Sequence, residues 1–75
     1  METVQYPLTL VELKQNYFNA KKNAQEAIAR EELCRNHFRR GTIEERELKN
    51  AIRDTDLKRQ IREAAYQQLL VIISI

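Results

Sequence analysis

The stretch RRGTIEEREL, residues 39–48, contains the only glycine of a 75-residue chain and separates two long segments that have none. Gly41 predicts the end of a first helix, because the residue after a helix C-cap often takes a left-handed conformation that a Cβ disfavours. Thr42 and Glu45 have the spacing of a capping box, which predicts a second helix starting directly afterwards. The stretch therefore predicts a sharp reversal of the chain at a turn formed around Phe38, Gly41, Thr42 and Glu45.

The charged residues around Gly41 fit the dipoles of two such helices. Arginines lie where the first helix would end, at Arg35, Arg39 and Arg40. Glutamates lie where the second would begin, at Glu44, Glu45 and Glu47. Each placement is favourable by roughly 0.3–1 kcal/mol, because helix N-termini attract anions and C-termini attract cations. The charge pattern of the turn therefore requires no ligand.

The residues before the turn predict one helix over residues 10–40. Thr9 and Glu12 form a capping box at its start. Apolar or small residues then recur at steps of three and four and define one buried stripe, which only Glu31 interrupts. The stripe consists of Leu10, Leu13, Tyr17, Ala20, Ala24, Ala27, Cys34 and Phe38.

The residues after the turn predict a second helix over residues 43–73, whose apolar stripe weakens around Lys58 and Arg59. This stripe consists of Leu48, Ala51, Ile52, Thr55, Ile61, Ala65, Leu69, Ile72 and Ile73. Antiparallel pairing about Gly41 would bring Ala27 near Thr55, Ala20 near Ile61, Tyr17 near Ala65, and Leu13 near Leu69. The predicted fold is all-α: two long antiparallel helices forming one helical-hairpin domain, a coiled coil over residues 1–75, which completes a bundle by oligomerisation.

Length and composition exclude several classes of protein. Seventy-five residues make one small domain, too small for a large active-site cavity. A net charge of +2 is too small to select a polyanionic partner. The longest apolar run, at residues 69–73, is far below the ~20 residues of a membrane-spanning helix. The first ten residues lack a basic region followed by an apolar one, so we expect no signal peptide and a cytoplasmic location for the chain as written.

No group of residues in the sequence predicts an enzyme. Cys34 and His37 lie one helical turn apart, but a nucleophilic thiolate also needs an orienting third group and an oxyanion cradle. A structural zinc site needs four ligands. We therefore interpret Cys34 as a small core residue and His37 as a solvated residue near the turn. We predict no catalytic residue, no cofactor, no metal site and no small-molecule substrate.

A nucleic-acid interface is the weakest of the interpretations considered. It would use the arginines near the turn, Arg30, Arg35, Arg39 and Arg40. The neighbouring carboxylates of Glu31, Glu32, Glu44 and Glu45 oppose the field of these arginines. The chain also lacks a recognisable recognition helix or a glycine-rich phosphate loop.

Large apolar residues that fall outside both stripes predict self-association or a partner, because a two-helix hairpin has no third element to cover them. They are Val11, Phe18, Ile28, Leu33, Leu57, Tyr66, Leu70, Val71 and Ile75. The excess is greatest at the end remote from the turn. We predict an interface there, consisting of Val11, Phe18, Tyr66, Leu69, Leu70, Ile72 and Ile73. The partner would be another copy or another helical protein; an alternative is a small helical chaperone or adaptor of a secretion or phage system.

The layout from residue 10 to about residue 73 resembles one helical hairpin of the outer-membrane efflux protein family, the TolC-like proteins. The resemblance is carried by an aromatic residue and glycine at Phe38 and Gly41, Glu-Leu at Glu47 and Leu48, and Ala-Tyr at Ala65 and Tyr66. It implies a periplasmic coiled-coil hairpin that packs laterally into a tunnel. It also implies a tip, formed by Phe38, Gly41, Thr42 and Glu45, that meets an adaptor protein.

The chain departs from this family in ways that limit what the resemblance implies. A complete member also has a signal peptide, a second hairpin and membrane strands, whereas this chain offers only the β-branched residues of its last segment, 71–75. The resemblance therefore implies a mode of packing, and not transport by this chain alone. It would place the protein in the periplasm or outer membrane if the chain is a fragment of such a protein.

Overall fold

A computed structural model of the protein describes residues 9–74 and confirms the all-α helical hairpin. Helix α1 spans Leu10–Arg39, helix α2 spans Glu45–Ser74, and each has 30 residues. The helices pack against each other along their length. The radius of gyration is 17.0 Å, whereas a compact domain of this size would have about 11 Å. The hairpin is therefore a rod with little interior. Ile75, which we placed outside the stripes, lies beyond the described residues.

Helix α1 begins with the predicted capping box. The Thr9 hydroxyl accepts a hydrogen bond from the Glu12 backbone N–H at 3.2 Å. The Glu12 carboxylate in turn accepts one from the Thr9 backbone N–H at 3.4 Å. These two bonds satisfy N–H groups that have no partner inside the helix, so the first turn is fixed by its own sequence.

Gly41 ends α1 as predicted. Its φ of 76° is in the left-handed region, and it is the only described residue with positive φ. The Gly41 N–H donates to the Phe38 carbonyl at 3.0 Å, and the Thr42 N–H donates to the His37 carbonyl at 3.0 Å. This pair of bonds is a Schellman motif, which satisfies carbonyls at the end of α1 and turns the chain away from the helix axis.

The predicted start of α2 at Thr42 is wrong. The Thr42 hydroxyl donates to the His37 carbonyl at 3.0 Å and lies 3.1 Å from His37 Nδ1, so it is bound to the end of α1 and does not cap α2. Helix α2 begins at Glu45 instead, and the Glu44 carbonyl accepts the first helical bond, from the Leu48 N–H at 3.4 Å. By sequence, Thr42 could either end α1 or cap α2. It ends α1, because its backbone N–H bonds to the His37 carbonyl in the Schellman motif and its hydroxyl donates to the same carbonyl.

The buried seam between the helices is narrow and rich in alanine. Its buried residues are Leu13, Ala20, Ala24, Ala27, Ala51, Thr55 and Leu69. Two contacts fix the register of the helices. The Thr55 hydroxyl donates to the Ala27 carbonyl at 3.1 Å, and the ring centroids of Tyr17 and Tyr66 lie 5.5 Å apart. The predicted antiparallel pairing is therefore correct, and small side chains at its centre let the helices approach closely.

The predicted stripe of α2 is wrong near its middle. The seam passes through Lys58 and Arg62, which are half-buried, whereas Ile61 is 49% exposed. Lys58 keeps its charged end in solvent beside Asp54, with 3.2 Å between Nζ and Oδ1, while its carbon chain covers the seam. A strict 3.5-residue repeat that starts at Ala51 passes through Lys58 and Arg62. The sequence pattern did not reveal this repeat, because Ile61 is apolar and was assigned to the stripe instead. Four residues at the ends of the predicted stripes are also exposed: Leu10, Phe38, Ile72 and Ile73.

Candidate interaction surface

A polar layer crosses the middle of the seam. Thr55 is 2% exposed, and its hydroxyl lies 3.0 Å from the Ala51 carbonyl of its own helix and 3.1 Å from the Ala27 carbonyl of α1. A hydroxyl has one proton, so the two carbonyls share it. The bond to Ala27 requires one alignment of the helices along their length. Thr55 therefore specifies the register of the hairpin, as single polar residues do in coiled-coil seams.

Glu31, which interrupts the stripe of α1, belongs to the same region of the seam. Its carboxylate accepts from Arg35, with 2.8 Å between Nη2 and Oε2. The pKa of Glu31 is lowered below its ordinary value of 4.5, chiefly by the hydrogen bond from Arg35. Partial burial opposes this change, whereas the Thr55 hydroxyl and the charges of Arg35 and Arg59 add to it. Glu31 is therefore ionised at neutral pH, although it lies beside an apolar seam.

Cys34 and His37 have structural surroundings. Cys34 is half-buried beside Ala51, in a groove that Glu47 also lines. The His37 ring lies against Thr42 in the turn. Within residues 9–74, no three His, Cys, Asp or Glu side chains are grouped closely enough to hold a metal ion. Cys34 thus lies at the seam and His37 at the turn, and the packing of these two regions explains both positions.

The four arginines near the turn do not converge on one face. Arg30 and Arg35 are five residues apart, which places them about 140° apart around the helix. Arg35 is paired with Glu31, and Arg30 lines a groove that also contains Glu26 and Asp54. Acidic side chains thus accompany these arginines in three dimensions as they do along the sequence.

Exposed apolar residues are the main unexplained feature of the hairpin. Within the described residues, the only large aliphatic or aromatic side chains that are buried are Leu13 and Leu69. Eleven large apolar residues are exposed: Leu10, Val11, Phe18, Leu33, Phe38, Leu57, Ile61, Tyr66, Val71, Ile72 and Ile73. Val11 is 76% exposed, Phe18 63% and Ile73 60%. Exposure on this scale is typical of surfaces that bind another molecule.

Five of the seven predicted interface residues lie on one side of the hairpin, which we call the tyrosine flank: Val11, Phe18, Tyr66, Leu70 and Ile73. Val11 and Phe18 are seven residues apart and share one face of α1, whereas the other three follow at steps of four and three along α2. Phe18, Tyr66 and Leu70 each directly follow a seam residue, and in two antiparallel helices such residues lie on the same side of the pair. The contact between Tyr17 and Tyr66 lies at the edge of this flank.

The other two predicted interface residues have different positions. Leu69 is only 9% exposed and, like Leu13, is buried in the seam. It supports the hairpin itself and offers no surface to a partner. Ile72 continues the row of Leu69 toward the open end of the seam and is 37% exposed.

The opposite side of the hairpin carries a groove, bordered by amide side chains, that was not predicted from the sequence. Amide side chains line this groove, of about 420 Å³, around a floor of small residues. The amides are Asn16, Asn19, Asn23 and Gln68, and the remaining lining residues are Ala20, Ile61, Ala64 and Ala65. The seven-residue spacing of Asn16 and Asn23 is the signal that could have revealed it. At the end remote from the turn, amide side chains thus border the opposite side, whereas the tyrosine flank is apolar. The opposite side also exposes Ile61 and, nearer the turn, Leu33 and Leu57.

The tip of the hairpin is formed by the turn residues that the sequence singled out. Phe38 is exposed at the end of α1, Gly41 and Thr42 form the Schellman motif, and Glu45 begins α2. The Glu45 carboxylate lies 3.5 Å from Lys49 Nζ on its own helix, and both side chains are largely exposed. The tip thus presents one aromatic ring among charged side chains.

Comparisons with known proteins add no relative: no family model, no curated protein and no solved structure matches the chain significantly. Neither of the two described helices combines the length and the apolar character that crossing a lipid bilayer requires. The resemblance to outer-membrane efflux proteins accordingly stays a prediction.

Proposed function

We propose that this protein is a non-enzymatic assembly element, a helical hairpin that binds another helical element through its tyrosine flank. The observation that carries the proposal is the inverted distribution of large apolar side chains, of which many more are exposed than buried. The five flank residues lie toward the end remote from Gly41. A helix packed along this flank would cover Phe18 and Val11, the most exposed large apolar residues of α1 at that end.

The weakness of the isolated hairpin supports the same proposal. Its buried side chains include two leucines and four alanines, with one threonine. A chain of 75 residues without disulfides commonly needs a larger apolar core, or a partner, to offset the entropy of ordering. Fully burying one side chain such as Phe18 or Ile73 contributes roughly 1.5–3 kcal/mol. Covering the flank would therefore add an amount comparable to the present core.

The proposal is tested by placing charges on the flank and measuring assembly. We expect Leu70→Lys combined with Ile73→Lys to abolish association in size-exclusion chromatography with light scattering, because two ammonium groups cannot be buried there without partners. The matched control is Leu33→Lys combined with Leu57→Lys. These residues are 57% and 54% exposed and lie off the tyrosine flank, so we expect the control to assemble as the unmodified chain does.

The same experiment can contradict the proposal. If the flank variant and the control assemble equally well, the interface lies elsewhere. The proposal is also contradicted if the unmodified chain is a monomer that unfolds cooperatively and the flank lysines leave its stability unchanged. The flank would then neither support the hairpin nor bind a partner.

Two narrower functions stay hypotheses within this proposal. A chaperone or adaptor would use the same flank to shield an amphipathic helix of a client protein. An efflux-type hairpin would pack laterally and use the tip, where the exposed Phe38 ring supports a contact. Phe38→Ala separates them, since it would weaken binding at the tip and leave binding at the flank unchanged.

A further inference from the structure

We infer that the occupant of the tyrosine flank is a second copy of this chain, packed so that both turns lie at the same end of a four-helix bundle. The inference rests on the proposed function and adds the partner and its orientation. In this arrangement a two-fold axis runs parallel to the helices, and α1 of each copy packs against α2 of the other. Every helix is then antiparallel to its neighbours, as in up-down four-helix bundles.

The register of the hairpin decides which residues would meet. Ala27 lies level with Thr55, and Tyr17 with Tyr66. Val11 is therefore level with residues 71–72, and Phe18 with residues 64–65. A two-fold axis parallel to the helices leaves these levels unchanged between copies. Each α1 residue thus meets the flank of the partner's α2 at the level it already has in its own hairpin.

Apolar residues meet apolar residues at the end remote from the turn in this arrangement. Val11 lies between the partner's Leu70 and the partner's Ile73, and Phe18 lies between the partner's Tyr66 and the partner's Glu63. Nearer the turn, Ile28 lies between the partner's Ile52 and the partner's Asp56, and Ile28 and Ile52 are only half-buried in the single hairpin. The reversed arrangement with the same full-length overlap would place Val11 and Ile73 against the charged residues near the turn.

Charged residues of the flank match in part when the turns coincide. Glu32 is nearly level with the partner's Lys49, and Lys21 is nearer to the partner's Glu63 than to the partner's Arg59. The least favourable points are Arg35, which lies between the partner's Glu45 and the partner's Lys49, and Lys14, which lies between the partner's Tyr66 and the partner's Leu70. All the charged side chains in these pairs are at exposed positions next to the flank. Such pairs select orientation more than they add affinity.

The orientation is tested by measuring a distance between spin labels on the two copies, in the full chain with Cys34→Ser and one added cysteine. An Arg40→Cys label reports the separation of the turns. We expect it below roughly 35 Å with turns at the same end, because packed helices lie 8–10 Å apart. Turns at opposite ends of 30-residue helices would give more than roughly 45 Å. A Lys22→Cys label, near the middle of α1, is the control, since it stays below 45 Å in either orientation.

The outcomes separate this inference from the proposed function. A short Arg40 distance supports the same-end dimer. A long Arg40 distance together with a short Lys22 distance overturns the orientation and leaves the flank as an interface. If neither label shows a partner at a protein concentration of about 100 μM, the second copy is the wrong occupant, and the proposed function then depends on a different helical protein.

Discussion

Replacing Gly41 tests the turn, on which the whole fold depends. Gly41 has a φ of 76°, and a Cβ built on it would meet no atom within 4 Å. A Cβ at this position is therefore free of steric clash, so a loss of stability reports the cost of the left-handed backbone conformation. The series Gly41→Asn, Gly41→Ala and Gly41→Val varies the side chain's tolerance of that conformation while the surroundings stay the same.

The expected loss follows from two opposing effects. The left-handed conformation costs an L-residue roughly 1–2 kcal/mol. A Cβ also restricts the unfolded chain, which returns about 0.4–1 kcal/mol. We expect Gly41→Ala to lower the free energy of unfolding by about 0.5–1 kcal/mol, and the β-branched Gly41→Val by at least about 1 kcal/mol. Asparagine tolerates left-handed backbone best of the three, so Gly41→Asn should be the mildest.

Urea unfolding followed by circular dichroism at one fixed protein concentration would measure these values, because assembly makes stability depend on concentration. In thermal unfolding, 1 kcal/mol corresponds to a shift of about 4–8 °C for a domain of this size. A Gly41→Val variant with an unchanged midpoint would refute the assignment of Gly41 as the left-handed residue that ends α1. An order in which asparagine is the most damaging would also contradict it.

Two further predictions concern the seam. Ala24 is fully buried and leaves no room for a larger side chain, so Ala24→Leu should lower the free energy of unfolding by about 1–3 kcal/mol. The same change at the exposed Ala29 should lower it by less than about 0.5 kcal/mol. Equal losses at the two positions would mean that the seam can open. The lowered pKa of Glu31 stabilises the fold above pH 4.5, and this contribution is lost as pH falls through the folded-state pKa, so the stability difference between the unmodified chain and Glu31→Gln should shrink below pH 4.5. A difference that stays constant from pH 7 to pH 3 in urea titrations would exclude a role for the Glu31 charge.

The architecture could be predicted because local signals agreed with one another. The Thr9 capping box and the left-handed Gly41 are properties of a few adjacent residues, and both are found as expected. The three-and-four spacing of alanines in α1 identified its buried face, since Glu31 is the only charged residue in that stripe. Pairing two helices of equal length about one glycine then left a single register near Ala27 and Thr55.

The tyrosine flank was only partly predictable. A sequence lists apolar residues outside the stripes, but their arrangement on one side depends on how both helices are rotated about their axes. Leu69 and Leu70 are adjacent and equally apolar, yet one is buried in the seam and the other lies on the flank. The rotation is decided by the whole row of contacts between the helices, and a single residue type does not reveal it.

What the amino-acid sequence alone determined is the number of helices, their ends near Thr9 and Gly41, and their antiparallel pairing, because these depend on interactions within a few residues. Only the tertiary structure decided which of two equally suitable positions a residue takes. Thr42 closes α1 instead of opening α2, since both its backbone N–H and its hydroxyl reach the His37 carbonyl. Lys58 occupies the seam while Ile61 remains outside it, because the burial of Ala51 and Thr55, with the Thr55 hydroxyl on the Ala27 carbonyl, fixes the rotation of α2 for every other residue.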